Sequence, residues 1–119
     1  WFIQGSECDA FEKEFAEYTK VAHCIGCGNG LEAILLALKA LGVSAGDEVI
    51  IPSNTFIATA LAVSYIGAIP VTVDPDLATF NLSEEGIEAA ITEKTKAIIP
   101  VHLYGQAADM DPILRIDQK

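Results

Sequence analysis

The chain has 119 residues, of which 51% are apolar and 20% are charged, enough for one folded domain with a substantial core. This composition excludes an intrinsically disordered chain. Seven basic and 17 acidic residues give a formal net charge of -10, which argues against a nucleic-acid partner, because binding to a phosphate backbone needs clustered lysine and arginine.

The first predicted element is an amphipathic helix over residues 8–19, where aromatic side chains recur at helical spacing among Glu and Lys. The stretch VAHCIGC, residues 21–27, predicts a short strand that runs into a glycine-rich turn. A second helix over about residues 30–41 follows, and it is so apolar that we expect it to be buried. Gly42 is suited to end this helix, because glycine readily adopts the left-handed conformation found there.

Strands and helices alternate along the rest of the chain. EVIIP predicts a strand of the continuous apolar kind found in parallel sheets, and residues 55–66 predict an apolar helix. IPVTVD predicts the next strand, Ser83 is suited to cap a helix over residues 84–92, and TKAII predicts a further strand. A last helix begins near residue 109. This order predicts a parallel-type α/β sheet flanked by helices.

Residues 51–73 form a stretch without charged residues that is long enough to imitate a membrane span. Pro52, Gly67 and Pro70 interrupt the helical pattern, so a buried helix followed by a buried strand is the better interpretation. No signal peptide is expected, and an odd, sparse set of three cysteines suits a reducing compartment. We therefore expect a cytoplasmic protein without a membrane partner.

Two patterns of possible metal ligands occur. Cys24 and Cys27 form a lone CxxC pair, but a zinc site needs a second pair or suitably spaced histidines, so ordinary thiols are favoured over metal or redox use. The segment DPDLATFNLSEE places Asp74 and Asp76 as in a calcium loop, but Thr79 stands where that loop needs glycine. We therefore expect no metal site.

The glycine-rich turn GCGNG is the first candidate for ligand binding. Gly26, Gly28 and Gly30 are spaced GxGxG, which is not the dinucleotide fingerprint, and no Lys-Ser/Thr pair of a Walker A loop follows. The exposed amides of Gly30 and Leu31 at a helix N-terminus could still hold one phosphate. The alternative is a capped helix and nothing more, because Asn29 is a good N-cap and a glutamate three residues later completes a capping-box pattern.

Two further loops follow predicted strands, and ligands bind to parallel sheets at the carboxyl ends of the strands. Phe56, in PSNTF, could stack on a flat ligand, with a core position at the helix start as the alternative. His102, in VHLYGQ, could be an acid, a base or only a hydrogen-bonded residue. His23 lies before the glycine-rich turn and is expected to be structural.

Several longer motifs resemble, in order and spacing, the DegT/StrS family of sugar aminotransferases over about residues 1–116: WFIQG, GNGLEA, GDEVIIPSNTFIATA, GAIPVTVD and EAAITEKTKAIIPVHLYGQAADMD. The resemblance implies part of a fold-type I large domain, pyridoxal phosphate (PLP) as cofactor, and a homodimer. It also implies amino transfer from glutamate or glutamine to a nucleotide-linked ketosugar. GNGL is similar to a branch that makes 3-amino-3,6-dideoxyhexoses, so dTDP-3-keto-6-deoxyhexose is the preferred substrate.

The same resemblance implies cofactor contacts. Asn29, Gly30 and Leu31 fall where the family binds the cofactor phosphate with helix N-terminal amides. Many members have Ser-Gly-Thr there, so Leu31 removes a hydroxyl donor and leaves the backbone amides. Phe56 matches the aromatic residue that stacks on the pyridine ring.

VHLYGQ matches a loop near the family's active site, so His102 and Tyr104 are candidates there without an assigned role. The family's Schiff-base lysine lies well downstream, and no catalytic residue is assigned in this sequence. We therefore expect residues 1–119 to be part of a cofactor-binding large domain, without a second domain and inactive alone. The alternatives are a non-catalytic sensory or regulatory member of the family and a stand-alone phosphate-binding α/β domain.

Overall fold

A computed structural model describes residues 3–116 of the chain. Within this range the chain forms five α-helices, three β-strands and one short 3-10 turn. In chain order the elements are α1 (Ser6–Thr19), α2 (Gly30–Ala40), β1 (Glu48–Pro52), α3 (Ile57–Tyr65), β2 (Ile69–Val73), α4 (Glu84–Ala90), β3 (Thr95–Ile98), the 3-10 turn (Leu103–Gly105) and α5 (Met110–Ile116).

The strands form one parallel sheet in the order β2–β1–β3, which confirms the predicted fold class. β1 pairs with β2 along its whole length, from Glu48 opposite Ile69 to Pro52 opposite Val73. Its pairing with β3 is shorter and shifts register after Glu48. Because the strands are parallel, the loops that follow them lie at one edge of the sheet, called the carboxyl edge below.

The central strand β1 is buried on both faces. Val49 and Ile51 pack into a cluster with α2 and α3, whereas Ile50 packs on the opposite face with α4 and α5. Successive side chains of a strand point to opposite faces, so EVIIP reads as a continuous apolar run because helices cover both sides. The structure thus has three layers, with α2 and α3 on one face and α4 and α5 on the other.

The prediction of a strand over residues 21–27 is wrong, and the described sheet has three strands rather than four. The Val21 N–H closes the end of α1 by donating to the Ala16 carbonyl, and the Gly26 N–H donates to a carboxylate oxygen of Glu12. These amides therefore have partners outside the sheet. A short apolar sequence forms a strand only where a neighbouring strand offers the ladder, and this segment pairs with none of those described.

The expectation that α2 is buried holds for only one of its sides. Leu38 is buried in the cluster with β1 and α3, but Leu36 is 51% exposed and the C-cap residue Leu41 is 75% exposed. Within residues 3–116 the opposite side of α2 is open to solvent. The end of the helix is as predicted, because Gly42 follows the C-cap with a φ of +80°.

The remaining helices agree with the predictions to within a few residues. Ser83 caps α4, and its Oγ accepts a hydrogen bond from the Gly86 N–H at 3.1 Å. The uncharged stretch 51–73 divides into the end of β1, helix α3 and strand β2. Among the helices of residues 3–116, none is long and apolar enough to cross a membrane.

Candidate functional site

Helices α2 and α3 begin at the same edge of the sheet. At their ends, Gly46 of the α2–β1 loop donates its N–H to the carbonyl of Gly67, just after α3, at 3.1 Å. The two helices also pack side by side on β1 through the shared cluster that contains Leu38 and Val63. Because α3 starts directly after β1, its N-terminus lies at the carboxyl edge. The N-terminus of α2 therefore lies on the same side.

The N-terminus of α2 is capped as predicted. Asn29 Oδ1 accepts the Glu32 N–H at 3.0 Å, and Glu32 Oε2 accepts the Gly28 N–H at 3.0 Å, one residue earlier than in the usual capping box. Among the described residues, no partner accepts the amides of Gly30 and Leu31. A Cβ added at Gly30 would meet nothing within 4 Å. Two amides without a partner among the described residues thus lie at the positive end of a helix dipole.

Phe56 is the N-cap residue of α3 and its ring is 77% exposed. Among residues 3–116, Phe56 therefore does not belong to the packed core of the sheet. The Phe56 carbonyl accepts the Thr59 N–H at 3.1 Å, and the hydroxyls of Thr55 and Thr59 lie 3.0 Å apart, which fixes the first turn of the helix. The structure therefore places an unpacked aromatic ring at the same edge as the free amides of α2.

Side-chain hydrogen bonds join the loops that follow β1 and β2. Ser53 Oγ donates to Asp74 Oδ1 at 2.7 Å, and the Ser53 N–H donates to the Val73 carbonyl at 2.8 Å. Asn54 Nδ2 donates to the Phe80 carbonyl at 3.1 Å. The segment that leads to α3 is therefore fixed against the neighbouring loop rather than hanging free.

Asn81 joins the loops that follow β2 and β3. The residue is 3% exposed, its Nδ2 donates to the Gln106 carbonyl at 3.2 Å, and its Oδ1 accepts the Leu103 N–H at 3.3 Å. Its backbone N–H also donates to Thr79 Oγ1 at 3.2 Å. A buried amide that is satisfied at both ends holds the loops in one arrangement.

The loop after β3 carries the two weaker candidates. His102 is exposed, and its Nδ1 accepts the Ala108 N–H at 2.9 Å, so a neutral ring carries its proton on Nε2. Tyr104 has a φ of +55°, a costly conformation for a residue other than glycine, and is 83% exposed. Its ring meets that of Phe80 edge-on, with centroids 6.2 Å apart. An acid or base role for His102 stays a prediction.

The sequence analysis missed three residues that shape this edge. Asn54 and Asn81 follow buried strands in loops, where an asparagine signals a side chain that bonds the backbone. Asn54 Oδ1 is buried with no partner among residues 3–116. Glu12 lies 14 positions before its partner Gly26, and no local signal links them.

The cysteines and His23 lie outside these contacts. Cys24 is half-buried and Cys27 is exposed, and the Cys27 Sγ donates to the Asn29 carbonyl at 3.5 Å. His23 is exposed beside the end of α1. In the part of the chain that the structure describes, no group of three or more side chains is placed to hold a metal ion.

The fold and this edge define a class of protein: a parallel α/β unit that presents helix amides and an aromatic ring at the carboxyl ends of its strands. The family model for the DegT/DnrJ/EryC1/StrS aminotransferase family matches residues 1–119, and the chain belongs to this family. This confirms the resemblance seen in the sequence motifs.

Individual relatives support the assignment. The dTDP-3-amino-3,6-dideoxy-alpha-D-galactopyranose transaminase of Aneurinibacillus thermoaerophilus is 51% identical over 119 residues, which are 100% of this chain and 33% of that protein. The erythromycin biosynthesis sensory transduction protein EryC1 of Saccharopolyspora erythraea is 53% identical over 98% of this chain and 32% of its own length. The chain thus spans about a third of these relatives.

A solved structure also aligns closely. The crystal structure of NtdA from Bacillus subtilis, with bound cofactor PMP, superposes with a TM-score of 0.94 at 43% identity. The alignment covers 97% of this chain and 26% of that one. The three-layered arrangement described above is therefore shared with part of a protein of known structure that binds PMP.

Proposed function

We propose that residues 1–119 are the N-terminal part of the cofactor-binding large domain of a PLP-dependent sugar aminotransferase. The observation that carries the proposal is that the free Gly30 and Leu31 amides and the exposed Phe56 ring lie at the same edge of the sheet. Membership of the family and the PMP-bound relative support the same cofactor.

The residues at this edge fit the chemistry of PLP, which joins a flat pyridine ring to a single phosphate. Free amides at a helix N-terminus suit a phosphate because they supply hydrogen bonds and a positive dipole end. A Cβ added at Gly30 would meet nothing within 4 Å, so this helix end is not crowded by the described residues. The exposed ring of Phe56 offers a flat apolar face for the pyridine.

Bound PLP would supply the electron-accepting ring that makes amino transfer possible. In this chain, Gly30 and Leu31 would hold the phosphate, Asn29 would keep their helix turn in place, and Phe56 would shield one face of the ring from water. His102 would present its Nε2–H, the one ring nitrogen that the loop leaves free. These residues bind and orient, and the proton-transferring lysine is expected in the longer protein.

The proposed substrate is a nucleotide-linked ketosugar, with glutamate or glutamine as the amino donor. The 51% identical transaminase, whose name specifies a dTDP-linked amino sugar, supports dTDP-3-keto-6-deoxyhexose as the preferred substrate. A homodimer and a cytoplasmic location are part of the same proposal. All three cysteines are free thiols, which suits a reducing compartment.

A second candidate function is sensory or regulatory. It is favoured by one observation, that a relative 53% identical to this chain is named a sensory transduction protein. Such a protein would keep the cofactor contacts of residues 29–31 and Phe56 and differ in its activity.

The experiment that tests the proposal uses the full-length protein that contains this chain. We expect it to purify with the visible absorbance of PLP and to convert that form to PMP when glutamate or glutamine is added. It should then aminate dTDP-3-keto-6-deoxyhexose, as followed by mass spectrometry. Failure to bind PLP would contradict the proposal, whereas binding without amino transfer to any nucleotide-linked ketosugar would favour the sensory candidate.

A further inference from the structure

Two carboxylates hold the glycine-rich turn that precedes α2. We infer that Glu12 and Glu32 are positioning residues for the phosphate site: they bind the amides of Gly26 and Gly28 and leave the first two amides of α2 to the phosphate. The inference rests on the proposed function, because it concerns the same PLP phosphate. It assigns roles to two acidic side chains that make no contact with the ligand.

Glu12 reaches the turn from α1. Its Oε1 accepts the Gly26 N–H at 2.6 Å. Glu12 is half-buried, whereas its neighbours Phe11 and Lys13 are exposed. This bond therefore ties the first helix to the turn across 14 positions of sequence.

Glu32 reaches back from the first turn of α2. Its Oε2 accepts the Gly28 N–H at 3.0 Å, while its own N–H is bound by Asn29 Oδ1 at 3.0 Å. A carboxylate at this position also lies at the positive end of the helix dipole. Glu32 thus fixes both the residue before the cap and the helix turn that carries the free amides.

The same geometry explains the GxGxG spacing. A Cβ at Gly26 would lie 3.1 Å from Glu12 Oε1, and a Cβ at Gly28 would lie 2.7 Å from Glu32 Oε2. At Gly30 the space is open. A Cβ at Gly26 or Gly28 would therefore crowd the carboxylate that binds its own amide, whereas a Cβ at Gly30 would meet no neighbour within 4 Å.

Negative side chains beside a phosphate site repel the ligand, so attraction is not what they contribute. Their contribution is the hydrogen bond that fixes the turn, and a neutral glutamine can accept the same bond. The inference therefore separates two kinds of variant. The two glutamine variants, Glu12→Gln and Glu32→Gln, should bind PLP with the affinity of the unaltered protein. The two alanine variants, Glu12→Ala and Glu32→Ala, should bind PLP more weakly.

The experiment measures dissociation constants for PLP and for pyridoxal, which lacks the phosphate, in the full-length protein. In Glu12→Ala and Glu32→Ala we expect the PLP constant to rise about tenfold, the effect of one net hydrogen bond, with little change for pyridoxal. Glu14→Ala is the matched control, because Glu14 is an exposed glutamate of the same helix. A general loss of structure would instead raise the dissociation constants of both PLP and pyridoxal.

Gly28→Ala supplies a second variant that does not remove the glutamate. The new Cβ would displace only the flexible end of Glu32, so the fold should survive while the bond to the Gly28 N–H is lost. Gly28→Ala and Glu32→Ala together should be no worse than either alone, since both break one contact. If Glu12→Ala fails to fold, this pair decides the role of Glu32, and a loss of PLP affinity in Glu12→Gln would contradict the role of Glu12.

The outcomes separate the two proposals. If the unaltered full-length protein binds no PLP, the proposed function fails and this inference fails with it. If that protein binds PLP but the alanine variants and Gly28→Ala keep its preference for PLP over pyridoxal, the inference alone is overturned.

Discussion

The central strand β1 and the segment of residues 21–29 are stabilised by different interactions. In β1, Val49 and Ile50 are fully buried, and helices pack against both faces. In the segment 21–29 every residue except the half-buried Cys24 is exposed, and two of its amides bind the side chains of Glu12 and Glu32. The scaffold thus depends on apolar burial, whereas the proposed phosphate site depends on a few polar contacts.

This difference implies that the site and the scaffold can be altered separately. Removing apolar volume from β1 lowers stability because a cavity remains in a close-packed core. Removing a carboxylate from the turn removes one hydrogen bond to an exposed amide and leaves the packing of the core unchanged. Four substitutions in the full-length protein compare the apolar core with polar contacts in the loops and at the helix cap.

The largest effect is expected in the core. Ile50→Ala should lower the free energy of unfolding by about 2–5 kcal/mol, because this side chain of β1 is fully buried against α4 and α5. Ile25→Ala, in the exposed turn, should change it by less than about 0.5 kcal/mol. Urea denaturation compares the two, and equal losses would show that the turn is part of the core.

The next effect concerns the buried amide that joins two loops. Asn81→Ala should cost about 1–3 kcal/mol, because the Leu103 N–H and the Gln106 carbonyl lose their partner. Thermal denaturation measures the loss of stability, and the amide of Leu103 should exchange its hydrogen faster in the variant. The exposed Leu77→Ala serves as control, and a similar change in both variants would contradict the clamping role.

The helix cap should contribute less. Asn29→Ala removes the acceptor of the Glu32 N–H and should cost about 0.5–2 kcal/mol, while Asn29→Ser keeps most of the stability. Urea denaturation measures both variants. A serine variant as unstable as the alanine one would mean that the cap oxygen does not hold the turn.

The smallest effect is a dependence on pH. The N–H groups of Thr79 and Ala78 bind the Asp76 carboxylate and lower its pKa below the ordinary value of 3.8. Because the folded-state pKa is the lower one, this stabilisation is present above the ordinary pKa and is lost as the pH falls through the folded value. The free energy of unfolding, measured against pH, should fall less steeply in acid for Asp76→Asn. Identical slopes would contradict this role.

Local signals in the sequence predicted much of the fold. Apolar runs gave β1, β2 and β3, and Asn29, Ser83 and Gly42 act at helix ends as their chemistry predicts. The free amides of Gly30 and Leu31 also follow from local pattern, because any helix leaves its first amides unpaired.

Contacts between distant residues were not predictable. VAHCIGC has the composition of a strand, but strand formation depends on a partner that the described sheet does not supply. The bond from Glu12 to Gly26 and the clamp at Asn81 join positions 14 or more residues apart, so no local pattern reveals them. The exposed side of α2 likewise depends on what packs against it.

The most direct test of the central claim is retention of PLP by the full-length protein with Phe56→Ala, measured by the visible absorbance that survives dialysis. We expect Phe56→Ala to lose most of the bound PLP, while Phe56→Tyr and the control Leu77→Ala keep it, because an aromatic face at this edge holds the ring. Unchanged retention in Phe56→Ala would contradict the assignment of this edge as the PLP site.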